Sequence, residues 1–160
     1  MAQGEAQEVW ETDLKPNIIQ ILTGSEPLTY ATYSTVYSTG LNFILKGKGK
    51  RKIDNNDNCK YLYAQVEPFF AEYTGSICAA APSNDSALPA YYDVEWDRFS
   101  GGTSIVDRLL DYLNKHYVSR LRAEGKTGLQ TIRNVAFNSW KTNVFDALSP
   151  RLENTDAGKP

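Results

Sequence analysis

The sequence predicts an all-α protein of six helices, and three observations support this. Apolar residues recur in successive stretches at the i, i+3, i+4, i+7 spacing of one helical face. Proline and glycine residues separate those stretches. The β-branched residues of 29–36 would also suit a strand, but no other segment offers a partner strand for it.

The first four helices follow from apolar spacing and from helix-end signals. Proline is tolerated in the first turn of a helix, where its missing amide hydrogen has no partner to lose, and glycine is common just beyond the last turn. These rules place helices at 14–23, 28–45, about 60–80 with a kink at Pro68, and 87–98.

A fifth helix is predicted at 104–121, after a break at Gly101-Gly102. Ser104 with Asp107 three residues later is typical of a capped helix start, and Gly125 follows the last turn. The face opposite the apolar stripe carries Tyr112 among polar side chains. Tyr112 lies either at the edge of the core, as most such tyrosines do, or on a face that binds a partner.

The remaining segments are a sixth helix and two polar stretches. The sixth helix is predicted at 126–148, and the polar residues 149–160 are expected to form a disordered tail. The basic run 46–52 and the Asp/Asn-rich segment 54–58 together predict a mobile, solvated loop. A role of the basic run in binding phosphate or nucleic acid, or in nuclear import, stays open. Calcium is rejected, because Cys59 stands where a calcium loop needs its turn glycine.

Composition limits the function classes. A net charge of −2 and a pI near 5.4 argue against a general nucleic-acid binder. No apolar run approaches the roughly 18 residues that a membrane helix needs, and the amino terminus lacks a signal-peptide pattern. Two isolated cysteines, Cys59 and Cys78, indicate free thiols in a reducing compartment, so we expect a cytoplasmic and nuclear protein.

An enzyme is the rival interpretation, and it finds little support. Glu95 and Asp97 offer paired carboxylates and His116 a base, but no nucleophile motif, metal-ligand spacing or phosphate loop accompanies them. We therefore expect no catalytic residues, no metal and no cofactor. The leading hypothesis is a scaffold that binds other proteins, and the alternative is a generic helical interaction domain.

Several motifs together resemble the N-terminal region of cullins, closest to the cullins of fungal SCF-type ubiquitin ligases. The resemblance covers about 9–148. It rests on VWETDL at 9–14, YSTVY at 33–37, DVEWDRFS at 93–100, YLNKHYVSR at 112–120, EGKTG at 124–128 and WKTNVF at 140–145.

The resemblance implies a first five-helix cullin repeat at 9–125 and the opening helix of a second repeat at 126–148. In such cullins the second and fifth helices together bind a BTB-fold adaptor, which carries F-box substrate receptors. Thr29 stands where the family usually has an aromatic residue. Carried onto this sequence, the partner-binding residues are Thr29, Tyr30, Tyr33, Ser34, Tyr37, Ile105, Arg108 and Tyr112.

The resemblance also implies what this length of chain leaves out. Cullins continue to a C-terminal domain that holds the RING-box protein, and 160 residues do not reach it. We therefore expect a truncated member that binds an adaptor, does not bind the RING-box protein and does not recruit a ubiquitin-charged enzyme.

Overall fold

The computed structural model describes residues 2–24, 26–46 and 54–157. This part of the chain is all-α, as the sequence predicts, and contains six helices and no strand. A short 3₁₀ turn, Asp85–Ala87, precedes the fourth helix. The helices are α1 (2–23), α2 (Tyr30–Leu45), α3 (Asp54–Ala79), α4 (Leu88–Leu109), α5 (111–123) and α6 (132–157).

Three helices contain a wide π-helical turn, in which each amide bonds five residues back instead of four. These turns are Val9–Leu14 in α1, Asn114–Val118 in α5 and Lys141–Phe145 in α6. The turn in α1 explains why that helix begins at Ala2 and not near residue 14. It widens the backbone just before Pro16, so the proline ring is accommodated inside a continuous helix instead of starting one.

Helix α2 begins two residues later than predicted, because Thr29 caps it. The Thr29 hydroxyl accepts a hydrogen bond from the Thr32 amide at 3.1 Å. Helix α3 begins at Asp54, so residues 54–58 are helical and the predicted loop does not include them. Residues 47–52 of the basic run, together with Ile53, lie outside the described residues. Pro68 lies inside α3.

The predicted break at Gly101-Gly102 is wrong. Helix α4 continues through both glycines to Leu109, and the chain turns at Leu110, where φ is −105° and ψ is 21°. Gly102 is needed for packing: a Cβ at this position would lie 3.0 Å from the Leu22 Cα of α1. The glycine therefore lets the backbones of α1 and α4 touch. Helix α4 stays continuous on both sides of the contact.

The sixth helix begins at Ile132, six residues later than predicted, after a loop in which Gly125 and Gly128 have positive φ. It also runs to Ala157, where the sequence suggested a disordered tail from 149. Two contacts anchor this extension: Arg151 Nε donates to Asp85 at 2.7 Å, and Arg151 Nη2 donates to the Pro82 carbonyl at 2.6 Å. Residues 158–160 lie outside the described residues.

Aromatic side chains link four helices through the core. Trp10 of α1 packs edge-on against Phe69 of α3, with ring centroids 6.0 Å apart. Phe70 meets Phe99 of α4, and Phe99 stacks on Trp140 of α6 at 5.0 Å. This contact chain holds α1, α3, α4 and α6 together, and α4 in turn carries Ile105 and Arg108 of the candidate site.

Candidate functional site

The structure brings most of the sequence-predicted site residues together where α2 meets the end of α4 and the start of α5. Tyr33 and Tyr37 lie one turn apart on α2, and their rings stack with centroids 6.4 Å apart. Both side chains are half-buried, whereas Tyr30, one turn earlier, is 85% exposed. We call Tyr30, Tyr33, Tyr37 and Arg108 the tyrosine patch.

Arg108 supplies the positive charge of the tyrosine patch. It lies in the last turn of α4, is exposed, and forms no ion pair within the described residues. Partial burial raises the pKa of the Tyr33 hydroxyl, and the charge of Arg108 opposes that rise. The charges of Arg108 on α4 and Asp111 on α5 therefore both act on the Tyr33 hydroxyl of α2.

Tyr112 does not lie on the outward face that the sequence suggested. Its side chain is 2% exposed and packs edge-on under Tyr37, with ring centroids 5.6 Å apart. The Tyr112 hydroxyl is buried without a hydrogen-bond partner within the described residues, and burial strongly raises its pKa. Tyr112 is thus the floor of the tyrosine patch and no part of its exposed surface.

The other predicted residues surround the patch. Thr29 is exposed, but its hydroxyl is used in the cap of α2. Ser34 is half-buried on α2, and Ile105 is half-buried on α4 and packs against the core. On α5, Lys115 pairs with Asp111 at 3.0 Å, and this hydrogen-bonded contact raises the pKa of the Lys115 ammonium.

Sequence reasoning missed a polar link beside this site. Asn114 of α5 donates to Asp107 of α4 at 3.0 Å and accepts from the Ile132 amide at 2.9 Å. Asp107 also accepts from the Arg133 amide at 3.1 Å. The predicted capping carboxylate therefore caps α6, and not the helix that carries it. The sequence offered little signal for this link, because Asn114 lies in a stretch that also contains Asp111, Lys115 and His116.

The residues considered for catalysis do not assemble. Glu95 pairs with Arg98 at 3.1 Å, and His116 is exposed on another helix. The described residues contain no group of three or more potential metal ligands. Within the same residues, no helix combines the length and apolar character required to cross a membrane.

Comparison with known proteins gives a consistent family. The family model of the cullin α-solenoid domain matches residues 11–155. The chain is 28% identical to Cullin-1 of Caenorhabditis elegans over 92 residues, which is 57% of the chain and 12% of that relative. It is 25% identical to cell division control protein 53 of Saccharomyces cerevisiae over 122 residues, which is 76% of the chain and 13% of the relative.

A third relative extends the match along the chain. Cullin-1 of Schizosaccharomyces pombe is 24% identical over 149 residues, which is 87% of the chain and 19% of that relative. The chain thus spans less than a fifth of the length of each of these three relatives.

Proposed function

Because this chain belongs to the cullin family, we propose that it is an adaptor-binding module of a ubiquitin-ligase scaffold. Its role is to hold a BTB-fold adaptor, and through it F-box substrate receptors, without catalysing a reaction itself. The observation that carries the proposal is the tyrosine patch. Stacked aromatic rings supported by the core and flanked by an arginine are the usual composition of an interface hot spot.

The structure refines which residues we propose as contacts. Tyr30, Tyr33 and Arg108 are exposed or half-buried and can touch a partner directly. Tyr37 is half-buried between Tyr33 and Tyr112, so it contributes an edge and stiffens the patch. Tyr112 supports this arrangement from below. The rim consists of Thr29, Ser34 and Ile105. Contacts at a rim exclude water but contribute less to the binding free energy.

Calorimetric titration of the chain with a purified BTB-fold adaptor tests the proposal. We expect saturable binding that is weakened by Arg108→Glu, because the substitution reverses the only charge of the patch. Lys126→Glu is a control with the same change of charge, since Lys126 is exposed in the loop before α6 and forms no ion pair within the described residues. Failure of the adaptor to bind, or an equal effect of both variants, would leave the generic interaction domain as the better description. We expect no binding of a RING-box protein to this chain.

A further inference from the structure

The hydroxyl group of Tyr112 is a feature that stability does not explain. The side chain is 2% exposed, and the hydroxyl has no hydrogen-bond partner within the described residues. Buried polar groups are nearly always hydrogen-bonded, because one without a partner loses its bonds to water and gains nothing in return. A phenylalanine would keep the same ring against Tyr37 without that loss. The hydroxyl therefore needs a reason other than the stability of the core.

The position of the hydroxyl suggests such a reason. It lies against Gly40 of α2, so closely that a Cβ on residue 40 would overlap it. Gly40 is buried and presents only backbone to its neighbour. The hydroxyl oxygen is the outermost atom of a rigid ring that α5 carries. Because packed interiors yield little, this atom limits how closely α2 can approach α5.

The distance between α2 and α5 affects the tyrosine patch through two ring contacts. Tyr37 lies three residues before Gly40, so the two residues share a face of α2. The Tyr37 ring packs edge-on against Tyr112 at 5.6 Å, and Tyr33 stacks on Tyr37 with the two ring planes 13° apart. A shift of α2 toward α5 therefore moves both tyrosines of the patch.

The tyrosine patch is sensitive to such a shift because two helices build it. Its tyrosines belong to α2, whereas Arg108 belongs to α4. Moving α2 changes the distance from the tyrosine rings to Arg108, and with it the shape that a partner meets. Tyr112 itself is too deeply buried to touch that partner. Any effect of its hydroxyl on binding must therefore pass through the tyrosines above it.

We propose that Tyr112 is a positioning residue for adaptor binding. Its hydroxyl is a spacer between α5 and Gly40 of α2, and it holds Tyr33 and Tyr37 in the arrangement that the adaptor binds. This inference rests on the function proposed above. The unpartnered hydroxyl lowers stability, and in return the binding surface is ordered before the adaptor arrives, which is a common compromise at functional sites.

Comparison of adaptor affinity with stability tests the proposal. Calorimetry with a purified BTB-fold adaptor should show that Tyr112→Phe binds about fivefold more weakly, within the usual range for a residue that acts on a site from outside it. Thermal unfolding should show that this variant is at least as stable as the natural chain. A purely structural role would lower affinity only together with stability.

Tyr91→Phe is the matched control, because it removes a hydroxyl that is bonded and remote from the patch. The Tyr91 hydroxyl donates to the Ile77 carbonyl at 2.6 Å. We expect this variant to be less stable and to bind the adaptor with unchanged affinity. The two variants should thus change affinity and stability in opposite ways.

Refilling the space beside residue 40 provides a rescue. In the double variant Tyr112→Phe/Gly40→Ala, the alanine methyl group lies close to the place of the missing hydroxyl. The double variant should therefore bind the adaptor more tightly than Tyr112→Phe. Gly75→Ala is the control for this step, because nothing lies within 4 Å of a Cβ at Gly75. Added to Tyr112→Phe, it should restore no affinity.

NMR of the free chain tests the spacer without the adaptor. The ring resonances of Tyr33, which stacks on Tyr37, should shift in Tyr112→Phe and stay in place in Tyr91→Phe. Full affinity of Tyr112→Phe, or unmoved Tyr33 resonances, would overturn the inference while the adaptor still binds. Failure of the natural chain to bind the adaptor would overturn the proposed function instead, and the Tyr33 resonances would still decide whether the hydroxyl is a spacer.

Discussion

The ring of Tyr112 lies directly against Gly40, so that residue 40 has no room for a side chain. A Cβ there would approach the Tyr112 Cζ to 2.7 Å and would overlap the hydroxyl. The same ring supports Tyr37 from below. This contact sets the separation of α2 and α5, and it explains why a glycine stands inside a helix with ten hydroxyl-bearing or β-branched residues.

Gly40→Ala should lower stability, although alanine is the better helix former. The new methyl group would displace the buried Tyr112 ring, and we expect a loss of about 1–3 kcal/mol in the free energy of unfolding. Gly75→Ala is the matched control, because nothing lies within 4 Å of its added Cβ. That variant should gain about 0.5–1 kcal/mol. Urea unfolding of both variants measures the difference, and a gain in both would contradict the contact.

Tyr112→Phe should leave the protein as stable or make it more stable by about 1 kcal/mol. The buried hydroxyl has no partner within the described residues, so its removal ends a desolvation cost. Tyr91→Phe is the control: the Tyr91 hydroxyl donates to the Ile77 carbonyl at 2.6 Å, and its loss should cost about 1 kcal/mol. Thermal unfolding should show no loss of stability for Tyr112→Phe and a loss for Tyr91→Phe. Equal losses for the two variants would show that the Tyr112 hydroxyl is hydrogen-bonded.

Tyr33→Ala should weaken adaptor binding by about 1–3 kcal/mol, the usual cost of truncating a hot-spot aromatic. The Tyr33 ring is half-buried and stacked on Tyr37, so it is already ordered before the adaptor binds. Val94→Ala serves as the control, because Val94 is 54% exposed on α4 and lies outside the tyrosine patch. Calorimetry with the adaptor compares the two variants, and similar affinities for both would count against the patch.

Asn114→Ala should destabilise the protein by about 1–3 kcal/mol. The substitution leaves the Ile132 amide and the Asp107 carboxylate each without one partner. Asn134→Ala, in the first turn of α6, removes an exposed amide side chain and should change stability by less than about 0.5 kcal/mol. Denaturant unfolding of the pair is the measurement, and losses of the same size would show that the polar link is weak.

Ionisation of the Cys59 thiol in the unfolded chain should lower the stability of the protein in alkaline solution. Burial raises the pKa of this thiol from 9.0 to about 11, an effect that Arg120 opposes. The unfolded chain therefore ionises near pH 9 while the folded chain keeps a neutral thiol, so unfolding becomes easier as pH rises between those values. Between pH 8 and pH 10 the loss of stability should be about 1 kcal/mol smaller in Cys59→Ala than in the natural chain. Identical pH dependence would exclude this contribution.

The sequence predicted the number of helices and the family, because both depend on apolar periodicity and on motifs that are local in the chain. The position of Tyr112 could not be predicted in the same way. Its outward direction assumed one straight helix from 104 to 121, with Arg108 and Tyr112 on one face. The turn at Leu110 separates Arg108 and Tyr112 onto two helices and removes that shared face.

The prediction of a helix break at Gly101-Gly102 was wrong for a related reason. A glycine pair is a good local signal for a loop, but tertiary contact with α1 holds these residues in a helix. By contrast, Tyr33 and Tyr37 were correctly placed together, because residues three or four apart on a helix share a face wherever the helix packs.

The bonds that cross from α3, α4 and α5 to the chain after Gly125 have a consequence for how the molecule unfolds. Tyr63 exchanges two hydrogen bonds with Gln130, at 2.7 and 2.9 Å, and Asn114 joins Ile132 in the same region. The predicted border between two cullin repeats at 125/126 is therefore bridged by bonds that neither segment can replace alone. If α6 unfolds, the start of α5 should unfold with it. The two predicted repeats should therefore unfold as one cooperative unit and not separately at 125/126.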